Sequence, residues 1–166
     1  MNIFKYLPLI IVIFFSSIAS ADLELVLAEE SSLPYDLSPS KYSNSSSKYS
    51  NSISKYSNSG SKYSNSSSKY DNSPSKYENS KSGSQRLLLK KGSKHFYVGY
   101  YVWGDEGLRN FYSSSGDRLF YSPPETGAIF DGDKGEFSGS LATLKDVNVL
   151  VVTEKGQIAL AKSGVL

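Results

Sequence analysis

The chain has 166 residues, no cysteine, a single histidine and a formal charge of +2. That length fits at most one ordinary globular domain with accessory segments. The absent thiols exclude a disulfide framework and cysteine-ligated zinc, and the lone His95 excludes a histidine metal cage within one chain.

Residues 1–21 read as a signal peptide. Lys5 supplies the positive start, Leu7 to Phe15 form an apolar run, and Ala19-Ser20-Ala21 gives a small-x-small cleavage pattern before Asp22. The run is far shorter than the roughly 20 residues of a membrane-spanning helix, so no transmembrane helix is expected in the mature chain. Export implies a periplasmic or extracellular protein and makes nucleic acid an unsuitable partner. Residues 22–39 form an acidic leader, with five acidic groups and no basic one between Asp22 and Asp36. Within it, Leu23-Glu24-Leu25-Val26-Leu27 alternates weakly, as an edge strand or the start of a short helix would.

From Ser40 a heptad of the type Ser-Lys-Tyr-Ser-Asn-Ser-Ser repeats six times. Its lysines are Lys41, Lys48, Lys55, Lys62, Lys69 and Lys76, each followed at once by Tyr42, Tyr49, Tyr56, Tyr63, Tyr70 and Tyr77. A coiled coil needs two apolar positions per heptad, and this repeat has one ring among Ser, Asn and Lys. A strand places residues seven apart on opposite faces, so the tyrosines would form no stripe. Ordering seven residues costs more than burying one ring returns. Residues 40–84 are therefore expected to be a disordered arm, serving as a spacer or as a multivalent strip. In the strip, tyrosines would stack on sugars or a partner while lysines contact anions. Deleting the arm is expected to leave the rest folded. Asn44-Ser45-Ser46 and Asn65-Ser66-Ser67 also match the glycosylation acceptor pattern.

The units Lys69-Tyr70-Asp71-Asn72-Ser73-Pro74-Ser75 and Lys76-Tyr77-Glu78-Asn79-Ser80 resemble the Tyr-x-Asn-Ser-Pro heptads of a functionally uncharacterised group of small exported bacterial proteins. There, similar arrays run between a signal peptide and a glycine- and aromatic-rich C-terminal region. The resemblance implies a bacterial, exported protein and transfers no functional residue.

Residues 85–166 change character, with short apolar runs between glycine-containing turns. Strands are expected at Arg86 to Lys90, Phe96 to Trp103, Asn110 to Tyr112, Arg118 to Tyr121, Gly127 to Phe130, Glu136 to Leu144 and Val147 to Thr153. Gln157 to Lys162 fits a last strand or a helical turn. The fold class is thus mostly β: a small antiparallel meander, barrel- or sandwich-like, behind the disordered arm. About 80 residues make a modest core, so self-association is a further expectation.

No catalytic motif, phosphate loop or zinc-ligand spacing occurs. His95 reads as an exposed strand start. Asp131, Asp133 and Glu136 form the best metal-like cluster, suggestive of calcium but without the ligand spacing of an EF-hand loop. Among the aromatics, Tyr97, Tyr101 and Trp103 would make an outward platform for carbohydrate or protein if they share a face. The expected function is an exported, non-enzymatic protein that needs no cofactor or metal. It would bind an anionic envelope polymer, a carbohydrate or a protein through the Tyr/Lys repeats or through Tyr101 and Trp103. The alternatives are a secreted effector or inhibitor acting through the β domain, and a small hydrolase using Asp105, Glu106 or the Asp131 to Glu136 loop.

Overall fold

The computed structural model describes residues 22–166, so the expected signal peptide lies outside the described residues. Eight strands close into a barrel: β1 (Leu23–Leu27), β2 (Arg86–Lys91), β3 (Lys94–Trp103), β4 (Arg109–Ser113), β5 (Arg118–Ser122), β6 (Ala128–Asp131), β7 (Phe137–Leu144) and β8 (Val147–Val152). Strands β2 to β8 form the expected antiparallel meander. Seven strands are an odd number, so β2 and β8 run the same way. The leader strand β1 slots between them, parallel to both, and closes the sheet. The ambiguous leader is therefore a strand, it belongs to the barrel, and the sheet is not purely antiparallel. The ambiguous C-terminus is a helix, α1 (Glu154–Lys162).

Alternation sorts the apolar residues into two layers. Leu23, Leu25, Leu87, Leu89, Tyr101, Phe111, Phe120, Ile129, Leu150 and Val152 fill the interior, and Ala159 and Leu160 of α1 join them. Tyr121, Phe130, Phe137, Val149 and Val151 point outward, as do Tyr100 and Tyr112, yet all are buried. A second layer must cover them, and it is the heptad segment.

The heptads are not disordered. Each forms a 3₁₀ turn on its Tyr-x-Asn triplet, from Tyr42–Asn44 through to Tyr77–Asn79. An earlier turn at Tyr35–Leu37 makes a seventh unit, because Tyr35-Asp36-Leu37-Ser38-Pro39-Ser40 matches the spacing of Tyr70 to Ser75. Chained together, the units wrap the barrel as a belt. The expectation of disorder failed because it weighed only the tyrosine. The tyrosines are exposed and contribute little burial; the buried residue of each repeat is asparagine, at 4% exposure or less from Asn44 to Asn79.

Burying an amide is costly unless its hydrogen bonds are made, and here they are. Asn51 Nδ2 donates to the carbonyls of Ser43 and Ser45, and Asn58 Nδ2 to those of Ser50 and Ser52, at 2.8–2.9 Å. The same backward reach recurs at Asn44, Asn65, Asn72 and Asn79. The first unit has no full unit behind it, and there Leu37 stands in the asparagine position. At the far end Gly83 stands where lysine is otherwise found, and a Cβ there would fall 1.9 Å from the Glu78 carbonyl oxygen.

The belt is also the crossover between parallel neighbours β1 and β2, a task usually given to a helix. Deleting it would sever that link and uncover Tyr100, Tyr112 and Tyr121, so the remainder is expected to be destabilised without it. Asn58→Ala removes two hydrogen bonds and leaves the Ser50 carbonyl without a donor, while the Ser52 carbonyl keeps the Lys55 N–H, and should lower stability by about 2 kcal/mol. Tyr63→Ala, one of the exposed rings, should change it by about 0.5 kcal/mol or less. Urea denaturation of both variants checks the contrast.

Candidate functional site

The belt presents two faces with different chemistry. Its inner face is fastened by at least one barrel donor per unit, and Asn65 has two, since Asn110 Nδ2 also donates to its Oδ1 at 3.2 Å. Ser140 Oγ donates to the Leu37 carbonyl at 2.7 Å, and Thr126 Oγ1 to Asn44 Oδ1 at 3.0 Å. The Tyr121 hydroxyl donates to the Asn51 carbonyl at 2.7 Å and Arg118 Nη1 to that of Asn58 at 2.9 Å. The hydroxyls of Tyr112, Tyr100 and Tyr97 donate to the carbonyls of Asn65, Asn72 and Asn79 at 2.8, 2.6 and 2.6 Å. The donors run backwards from β7 to β3, so the belt travels against the strand order. Where the repeat varies, the barrel accommodates it. Ile53 packs on Gly135 of the β6–β7 hairpin, where a Cβ would lie 2.8 Å from the isoleucine Cβ and φ is +71°.

The outer face carries Tyr35, Tyr42, Tyr49, Tyr56, Tyr63, Tyr70 and Tyr77, all between 64 and 69% exposed. The six tyrosines singled out from sequence are thus displayed, each by the same local turn. Their lysine neighbours differ from one another. Lys41 pairs with Asp36 at 2.8 Å, Lys62 with Asp105 at 3.5 Å, and Lys69 and Lys76 flank Asp71 at 3.7 and 3.2 Å. Lys48 and Lys55 have no ion-pair partner among the described residues.

Tyr101 does not join that display. It is 1% exposed, lies in the barrel interior and has its ring centroid 6.2 Å from that of Phe111. Trp103 is 46% exposed, with the Arg109 guanidinium 3.9 Å from its ring centroid. Tyr97 turns to the belt instead, because the β2–β3 register shifts between Leu87↔Gly99 and Leu88↔Tyr97. The extra residue, Val98, packs toward the interior. No platform of Tyr97, Tyr101 and Trp103 forms.

Of the other sequence candidates, His95, Asp105 and Asp131 have structural partners. His95 Nε2 lies 2.8 Å from Glu24 Oε1 across β2, in a cleft where the belt's ends leave β1 and β2 uncovered and where Asp22 pairs with Arg86. Asp131 Oδ1 accepts the N–H groups of Asp133 and Lys134 and so closes its own turn. Among the described residues no three acidic or histidine side chains converge to hold a metal. Asn44 and Asn65 match the acceptor pattern for glycosylation, yet both are buried with both amide hydrogens committed.

Burial raises the pKa of Tyr100, Tyr112 and Tyr121 well above the ordinary 10.0, and that of Tyr97 in the same direction. Desolvation penalises the phenolate in each case, and for Tyr112 and Tyr121 the nearby Arg118 offsets part of it. No protein-family model matches the chain, and neither does any curated protein or solved structure compared with it.

These shifts set an alkaline limit. A folded-state pKa above the unfolded value contributes stability that is intact below pH 10 and is lost as pH climbs through the folded value. Urea midpoints should hold up to about pH 10 and fall beyond it. Tyr112→Phe should lower the neutral-pH midpoint, since the Asn65 carbonyl loses its donor, and flatten the alkaline decline.

Proposed function

We propose that the protein is an exported, non-enzymatic binding protein whose belt presents a ring of tyrosines and lysines to an anionic polymer of the cell envelope. One observation carries the reading: the repeat separates its structural residue from its displayed one. Asparagine supplies the buried hydrogen bonds, while every tyrosine ring is held outward at nearly equal exposure. Nothing in the packing requires an aromatic at those positions. Rows of identical amphipathic rings suit a ligand that itself repeats, such as a polysaccharide, since each ring can stack on a sugar face.

The ring is basic where it is uncompensated. Lys48 and Lys55, beside Tyr49 and Tyr56, face no described carboxylate and so favour an anionic polymer at that arc. The signal-like N-terminus and the resemblance to exported repeat proteins support the periplasm or the cell exterior as the place of action. Among the described residues no helix is long and apolar enough to cross a membrane.

The test is affinity for a soluble polyuronate, with dextran as the neutral control. The combined variant Lys48→Ser, Tyr49→Ser, Lys55→Ser, Tyr56→Ser should bind about tenfold or more weakly. Its urea midpoint should stay close to that of the native chain. Native binding should weaken as salt rises. Equal affinity of variant and native chain, or equal binding to dextran, would overturn the proposal.

A further inference from the structure

The two ends of the barrel differ. At one, α1 folds back so that Ala159 and Leu160 join the interior cluster. The other is formed by the β3–β4, β5–β6 and β7–β8 loops, and there stands Arg109. It lies two residues before Phe111, whose ring is in the interior, so alternation turns Arg109 inward at this mouth.

The Arg109 guanidinium lies against two aromatic rings, 3.9 Å from the Trp103 centroid and 5.9 Å from that of Tyr101. The residue is only 8% exposed, and its Nε and Nη1 are buried without a hydrogen-bond partner. No ion pair among the described residues includes it. Stacking holds the plane of the guanidinium but satisfies none of its N–H donors. A buried cation without an acceptor is costly, and such a group calls for a water, ion or ligand to complete it. Burial lowers its pKa to about 10, so it remains a cation at neutral pH.

We propose that Arg109 anchors a binding site at this mouth for a small monocarboxylate with an apolar or aromatic body. A carboxylate supplies acceptor oxygens that match guanidinium geometry. The half-exposed Trp103 offers a flat apolar surface for the rest of the molecule. The rim selects against higher charge: Asp105, Glu106, Glu125 and Asp146 stand on the three loops, opposed there by Lys145 and, from the belt, by Lys62. One guanidinium inside an acidic rim balances one negative charge, not the two of a phosphate dianion. The site is separate from the tyrosine ring, and neither proposal depends on the other.

Trp103 is the chain's single tryptophan and reports directly on this site. The full mature chain is titrated with benzoate, with benzyl alcohol and inorganic phosphate as the neutral and dianionic comparisons. Benzoate should change the fluorescence saturably and raise the thermal midpoint, and the other two should do neither at equal concentration. Arg109→Met should bind benzoate roughly tenfold more weakly or not at all. Its own midpoint without ligand should be equal or higher, since the unpaired buried charge is gone. Should Arg109→Met fail to fold, Arg109→Lys keeps the charge and loses the planar donor face, and it too should bind more weakly. The proposal is overturned by the absence of a saturable benzoate response, by phosphate or benzyl alcohol acting as well, or by unchanged affinity in the variant that folds.

Discussion

One asparagine amide in each heptad holds the belt in shape. A segment without helices or ladders has to place its backbone carbonyls somewhere. Each 3₁₀ turn uses two of them, as where Asn51 N–H reaches the Lys48 carbonyl and Ser52 N–H that of Tyr49. The asparagine side chain then takes two more from the unit behind, and from Asn51 onward its own carbonyl accepts from the barrel. Removing that side chain would loosen the joint between two units and leave one carbonyl, that of Ser43 in the case of Asn51, without a donor. Serine is too short for the reach. A longer amide would also have to order a further side-chain bond.

The barrel and the belt each answer a problem posed by the other. An eight-stranded barrel filled by its own side chains has no room for the outward-facing Tyr100, Tyr112, Tyr121 and Phe130. Left bare, these rings would form a large aromatic surface. The belt covers them, and their hydroxyls become the donors that fix its path. The belt in turn gains from the rigid sheet what a heptad cannot supply alone. Each unit contacts the unit before it and one place on the barrel, so its stability is a neighbour term plus a template term. Repeat arrays normally have only the first.

The strands were legible because alternation and glycine-bearing turns are local signals. The loop at Gly116 and the hairpin at Asp131 to Gly135 follow from residues adjacent in sequence, and φ is +94° at Gly116 and +71° at Gly135 as such turns require. The belt was not legible because its partners lie 18 to 103 residues away, from Tyr97 with Asn79 to Ser140 with Leu37. Nor are they of one residue type: four are tyrosines, and arginine, threonine and serine supply the other three. The repeat also misdirects, since its one large ring suggests the buried position and is the exposed one. Leu37 hid the first unit by replacing the diagnostic asparagine. Tyr97 and Tyr101 do not share a face because of a single extra residue at Val98, since one bulge reverses the facing of everything beyond it.

Rigidity changes what the tyrosines can do. A flexible arm would wrap a ligand and pay the ordering cost upon binding, whereas the belt has its rings set before any partner arrives. The gain has a geometric limit. Rings distributed around a closed barrel diverge, so a stiff chain lying across the surface meets only neighbouring units, and the count that matters is two or three. Charge then decides which arc is used. Asp36, Asp71 and Asp105 tie down the lysines of the flanking units, and Lys48-Tyr49 with Lys55-Tyr56 is the adjacent pair left uncompensated. The six near-identical repeats are therefore unequal as binding units. The difference comes from three aspartates, one of which lies on the barrel outside the repeats altogether.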